Sequence, residues 1–182
     1  VNKESIYNQL LVVRCRQGDQ EAWAELVSRW EKPLLYYTRR MIDNEHQAWQ
    51  ILQETWLHVV KGIGTIKRPE YLPKWLYSIC RHKILTYYRQ QHKENELQDA
   101  VSSVVDAYEP NGDLPFENAE AVHWGLGRIK PVFREVLTLY FLQDLSIDEI
   151  AEVLSVPAGT VKSRLFHARQ KLRNVLEDTQ NE

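Results

Sequence analysis

Three features of this 182-residue chain predict an all-α protein of two small helical domains joined by a flexible acidic linker. Apolar residues recur at helical spacing through residues 5–90 and again from about 118 to 177. The stretch between them, residues 94–117, is acidic, contains Ser102-Ser103, Asn111-Gly112 and two prolines, and loses that periodicity. No alternation of apolar and polar residues reaches strand length, and no internal repeat or low-complexity tract is present. The expected division is residues 1–93, a linker over 94–117, and residues 118–182.

In the first half, Asp19 is placed to cap a helix whose apolar positions are Ala22, Trp23, Leu26, Val27 and Trp30. Pro33 marks a kink or a new start, and the apolar run resumes through Leu34, Leu35 and Tyr37 to Met41. After a turn at Ile42-Asp43-Asn44, a helix over about 45–61 buries Ala48, Ile51, Leu52, Thr55 and Val59. Gly62, Gly64, Pro69 and Pro73 then interrupt regularity for a dozen residues, and a helix follows over about 74–91. A basic loop of that length bounded by Gly and Pro suits a functional role.

Composition excludes several classes. No apolar run approaches the roughly 20 residues of a membrane span, and residues 1–9 lack the features of a signal peptide, so a cytoplasmic protein without stable membrane insertion is expected. Cys15 and Cys80 stand far apart without a pairing pattern and suit two buried reduced thiols. His58, Cys80, His82, His92, His123 and His167 form no spaced ligand set, and neither a phosphate-binding Gly-rich loop nor a nucleophile motif is found. No catalytic residue, metal or cofactor is expected.

The formal net charge is only −2, yet it is unevenly distributed. Residues 61–93 hold eight Lys or Arg against one acid, Glu70, whereas residues 94–120 hold eight acids and no Lys or Arg. Residues 136–154 carry four acids and no Lys or Arg, and 157–173 carry five Lys or Arg and no acid. Any one block suits a solvated face, but two basic blocks on helices point to phosphate contact.

The most specific motif runs from Leu145 to Arg169. Ser146 and Glu149 have capping-box spacing, and Ile150, Ala151 and Leu154 form the inner face of the helix they open. Ser155-Val156 makes a tight turn, and Pro157 suits the first turn of the next helix. There Val161, Leu165, Ala168 and Leu172 make one apolar stripe, with polar and basic residues around the rest. Two short helices joined by a sharp turn, the second basic, describe a helix-turn-helix, whose second helix fits a major groove. Lys162, Ser163, Phe166 and His167 are the base-facing candidates; Thr160, Arg164 and Arg169 are the phosphate-facing ones.

The run Gly159-Thr-Val-Lys-Ser-Arg with Ala168-Arg and Leu172 resembles the fourth conserved region of extracytoplasmic-function sigma factors, members of the sigma-70 superfamily. Gly18-Asp-Gln-Glu-Ala-Trp-Ala-Glu-Leu is similar to that family's opening helix, Gln53-Glu-Thr-Trp-Leu to its polymerase-binding helix, and Trp75-Leu-Tyr-Ser-Ile-Cys-Arg-His with Tyr87-Tyr-Arg to its minus-ten helix. The resemblance covers nearly the whole chain. It implies a non-enzymatic initiation factor that binds RNA polymerase core through the beta-prime clamp helices and the beta flap. It further implies that residues 118–182 read the minus-thirty-five element of promoter DNA, that residues 1–93 read and melt the minus-ten element, and that an anti-sigma factor restrains the protein. Gln50, Gln53 and Glu54 would then contact polymerase, and Lys67, Arg68, Lys74, Trp75, Arg81, His82 and Arg89 the minus-ten strand. Strand separation needs a basic track and aromatic surfaces, and Tyr71, Trp75, Tyr77, Tyr87 and Tyr88 are interleaved with the bases here, although Trp75 by itself suits a core better.

The chain departs from the family pattern at several points. The residues ahead of Gln53-Glu54 include Trp49 and Gln50 where acids are usual, and His82 replaces a common asparagine. Lys83 stands where an apolar residue is usual, Thr86 where aspartate is frequent, and His167 where arginine is typical. A stand-alone helix-turn-helix regulator is the main alternative. It would account for residues 118–177 and leave the basic, aromatic first half unexplained.

Overall fold

The computed structural model describes residues 3–91 and 119–180, and the chain divides into two compact units, residues 1–87 and 88–182. The linker expected over 94–117 lies outside the described residues.

In the first unit, α1 (Lys3–Arg16) turns at Gly18, whose φ of 81° favours glycine, into α2 (Gln20–Met41). Asp19 caps α2 as its sequence position predicts, accepting from the N–H groups of Glu21 at 2.9 Å and Ala22 at 3.1 Å. The Ala22 N–H, and then the guanidinium of Arg14 at 2.8 Å, hold the Asp19 carboxyl below the usual carboxylate range. Further clasps join α1 to α2. Tyr7 donates to Glu25, Arg14 reaches Glu25 at 3.2 Å, and Arg29 bonds Glu4 at 2.8 Å while lying 4.8 Å over the Tyr7 ring.

Pro33 does not start a new helix: α2 runs through it from Gln20 to Met41. Trp30, Leu34, Tyr37 and Met41 are all buried on one face, so tertiary packing carries the helix across the hydrogen bond that proline cannot make. Next, α3 (Glu45–Gly62) is capped by Asn44, which accepts from Gln47 N–H at 3.0 Å, and it buries the five residues expected of it. Two single 3₁₀ turns, Ile63–Thr65 and Pro69–Tyr71, fill the interruption before α4 (Leu72–Gln90), which begins two residues earlier than expected and takes Pro73 into its first turn.

The core of this unit is aromatic. Tyr77 is fully buried and meets Tyr37 edge-on at 5.4 Å and Trp30 at 6.3 Å, so it is a packing residue and not part of a nucleic-acid surface. Cys15 and Cys80 are both buried, and burial pushes the Cys15 thiol up to about 11. Alkylation of Cys15 by a maleimide at pH 8 should therefore be slow in the native protein and fast in urea, read by mass spectrometry; rapid native labelling would contradict this packing.

The second unit contains α5 (Ala119–Leu126), α6 (Pro131–Leu137) continued by a π-helical segment (Thr138–Leu142), α7 (Ile147–Leu154) and α8 (Ala158–Gln180). Gly125 allows α5 to press on α8, since a Cβ there would lie 2.6 Å from Leu172 Cδ1. The α8 stripe Val161, Leu165, Ala168 and Leu172 is buried as its spacing predicts. On α7 the buried set is Ile150, Val153 and Leu154, with Ala151 only half-buried, because the stripe follows i, i+3, i+4 from Ile150.

Candidate nucleic-acid interface

The helix-turn-helix is built by local chemistry. Ser146 and Glu149 form a complete capping box: Glu149 N–H donates to Ser146 Oγ at 3.3 Å, and Ser146 N–H donates to Glu149 Oε2 at 2.9 Å. Ser155 ends α7 in the left-handed region at φ 56°, and Val156 N–H returns to Ala151 carbonyl at 3.0 Å. Pro157 precedes α8 instead of entering it, its carbonyl accepting from Thr160 at 2.9 Å and Val161 at 3.2 Å.

The buried stripe leaves the opposite side of α8 outward. Lys162 is exposed there, and Thr160, Ser163, Phe166, His167 and Arg169 are half-buried. Phe166 and His167 meet edge-on at 5.3 Å, and the Arg169 guanidinium lies 5.0 Å over Phe141 and 6.0 Å over Tyr140. Arg164 differs from its expected role. It is 4% exposed, because its position three residues after Val161 places it beside the stripe, and it offers no surface to a phosphate. Two further exposed residues lie on this helix: Gln170, seven positions after Ser163, continues its line, and Arg173, eleven after Lys162 and four after Arg169, continues theirs.

Lys74, Trp75, Arg81, His82 and Arg89 fall on one side of α4 by helical register, away from buried Leu76, Tyr77, Cys80 and Ile84. The loop before α4 supplies exposed Lys67 and Arg68. Tyr71 lies between two cations, with Arg68 4.4 Å and Lys74 4.6 Å from its ring, and Arg68 also pairs with Glu70 at 3.1 Å. Trp75 is half-buried over Gly62, where a Cβ would come within 3.2 Å of the indole.

Gln50, Gln53 and Glu54 are all exposed on α3. Leu57 and Val60 share that side, 62% and 57% exposed, and so does Trp49 at 38%. Lys83 Nζ lies 3.6 Å from Glu54 Oε2, which accounts for a charge at a position where the family pattern favours an apolar residue. Thr86 donates to the His82 carbonyl at 2.9 Å, returning its hydroxyl to its own helix. Among the described residues no group of three His, Cys, Asp or Glu could hold a metal, and no helix is long and apolar enough to cross a membrane.

A helix-turn-helix in one unit and a basic, aromatic helix behind a structured loop in the other are the features of a DNA-binding protein. The family profile for Sigma-70 region 2 matches residues 26–94, and that for Sigma-70, region 4 matches residues 126–172. The chain is 26% identical to the ECF RNA polymerase sigma factor SigW of Bacillus subtilis, over 92% of this chain and 95% of the relative. It is likewise 26% identical to the ECF RNA polymerase sigma-E factor of Escherichia coli K12, over 96% of each. In fold it is similar to CnrH, solved with the cytosolic domain of CnrY (TM-score 0.65, 21% identity, 94% of this chain and 97% of that one). It is also similar in fold to the sigma factor RpoE of Bartonella quintana, solved with the anti-sigma factor NepR (TM-score 0.63, 21% identity, 85% and 96%). The chain belongs to the extracytoplasmic-function sigma factors of RNA polymerase. It directs promoter-specific transcription initiation through regions 2 and 4 and is not an enzyme.

Proposed function

We propose that residues 1–93 hold core polymerase and read the opened minus-ten element, that residues 118–182 read the minus-thirty-five element, and that residues 94–117 tether the two. The observation that carries this assignment is the presence of three distinct polar surfaces: the exposed side of α3, the basic and partly exposed side of α4 with its exposed preceding loop, and the partly exposed side of α8 opposite its buried stripe. On α3, Gln50, Gln53 and Glu54 meet the polymerase clamp helices, with Trp49, Leu57 and Val60 adding apolar area. On the loop and α4, Lys67, Arg68, Lys74, Arg81, His82 and Arg89 track the single strand, and Trp75 supports the loop through Gly62. On α8, Lys162, Ser163, Phe166 and His167 face bases while Thr160, Arg169 and Arg173 take phosphates; Arg164 is left to the interior.

A stand-alone regulator leaves the region 2 match unused. The complexes of CnrH with CnrY and of RpoE with NepR support an anti-sigma factor as a further partner here, since a basic reading surface needs masking when polymerase is absent. A polymerase partner places the protein in the cytoplasm.

The assignment is tested with holoenzyme reconstituted from full-length variants. Gln53→Ala with Glu54→Ala should weaken core binding, whereas Lys67→Ala with Arg68→Ala should spare core binding and impair promoter opening. Arg173→Ala should lower affinity similarly on all minus-thirty-five sequences and flatten the salt slope by about 0.9, while Ser163→Ala or His167→Ala should change base preference. A uniform loss from both kinds of substitution would overturn the division between base and phosphate contacts.

A further inference from the structure

The loop that carries Lys67 and Arg68 is held in shape from outside by a residue that no sequence motif marks. Arg16, the last residue of α1, donates through Nε to the Ile63 carbonyl at 3.1 Å and through Nη2 to the Ile66 carbonyl. These two acceptors bracket Gly64-Thr65, so a single guanidinium spans the turn 47 and 50 residues further along the chain. From the inside, Ile63 and Ile66 are 4% and 7% exposed, and Thr65 Oγ1 closes the turn onto the Gly62 carbonyl at 2.7 Å. Lys67 follows immediately and is exposed. The end of α1 is itself secured by the Arg14–Asp19 pair at 2.8 Å, so the guanidinium reaches out from a fixed base.

We propose that Arg16 is a positioning residue of the minus-ten reader: it fixes the turn over residues 62–66 before DNA arrives, so that Lys67 and Arg68 meet the strand already in place. The inference rests on the reading that loop 62–73 binds the opened strand. A loop ordered in advance does not lose its backbone freedom on binding, and fixing even one residue's backbone corresponds to about tenfold in affinity. The planar fork of arginine presents donors from separate nitrogens to two carbonyls, whereas lysine carries the same charge on one nitrogen whose three donors diverge from a single point. Charge and positioning can therefore be separated.

Holoenzymes would be assembled from core polymerase and the full-length chain, either wild type, Arg16→Ala, Arg16→Lys, or Lys67→Ala with Arg68→Ala. The probe is a fork-junction DNA whose minus-ten non-template strand is single, made from a promoter recovered by run-off transcription of a genomic library. Arg16→Ala should weaken fork-junction binding and slow opening by about tenfold, with core affinity and the unfolding midpoint unchanged and faster amide exchange confined to residues 62–68. Arg16→Lys should recover little of the loss. Full recovery by lysine would make Arg16 a direct phosphate contact and overturn the proposal, as would a drop in core affinity or midpoint that matches the binding loss. Wild-type behaviour of Arg16→Ala beside an impaired Lys67→Ala with Arg68→Ala would overturn the positioning role alone. An unimpaired double variant would overturn the reading of the loop, and the proposal with it.

Discussion

Severing the chain anywhere within residues 94–117 is expected to abolish promoter-specific initiation while leaving both halves folded. Each unit has its own core: Leu26, Leu34, Leu52, Tyr77 and Ile84 are buried within the first, and Leu126, Leu139, Ile150 and Leu172 within the second. The connection is expected to supply effective concentration. Once one unit is bound, a tether makes the second contact intramolecular, which is worth on the order of 10²–10⁴ in overall affinity. A protease site introduced within 94–117 would test this, with run-off transcription before and after cleavage as the readout and circular dichroism confirming that helix content is retained. A fall of about 100-fold or more is expected. Undiminished activity from the cleaved halves at the same concentration would show that polymerase alone sets the spacing between the two promoter contacts.

The second large effect is expected from Leu165→Ala, and its neighbour provides the control. Leu165 is 4% exposed in the middle of the α8 stripe, so truncation removes buried apolar area and leaves a cavity, at a cost of about 2–5 kcal/mol. For a unit of this size that is a large share of total stability, and the minus-thirty-five contact should fail through unfolding. Phe166, one residue on, points away from the stripe and is half-buried against His167. Phe166→Ala should change stability by no more than about 0.5–1 kcal/mol and instead alter which minus-thirty-five bases are preferred. Thermal unfolding of the two variants beside selection from a randomised minus-thirty-five library separates these outcomes. Equal destabilisation by both would mean that α8 does not present Phe166 outward.

Much of the fold was legible because its determinants are local. The Asp19 cap, the capping box at Ser146 and the stripes of α3 and α8 are all written in the spacing of a few neighbouring residues, and all are present. Pro33 shows where local reasoning runs out. Proline argues for a kink or a new start, and the buried face from Trp30 to Met41 is a tertiary fact that decides against the new start. Arg164 fails for a related reason. Charge and position in a basic helix suggest phosphate contact, while burial depends on how closely α8 packs against its neighbours.

The candidate site was legible in outline and not in its supports. Basic blocks and the helix-turn-helix spacing pointed to the elements that carry the proposed contacts. Arg16 could not have been found this way, because its two acceptors are backbone carbonyls, which carry no sequence signature. Lys83 stood out only as a departure, and its pairing with Glu54 requires α3 and α4 to lie side by side. Gln170 and Arg173 were within reach, since the line from Ser163 arrives at the first and that from Lys162 through Arg169 at the second.

Run-off transcription of a genomic library with core polymerase, with and without the full-length chain, decides whether this chain gives polymerase its promoter choice through two reading surfaces. Discrete start sites are expected only when the chain is present, each preceded by two short sequence blocks at a constant separation. Loss of the upstream block should follow from substitutions on α8, and loss of the downstream block from substitutions in loop 62–73. Sequence-specific binding of the chain alone to a single palindromic site, with no new start sites when core is added, would contradict this role.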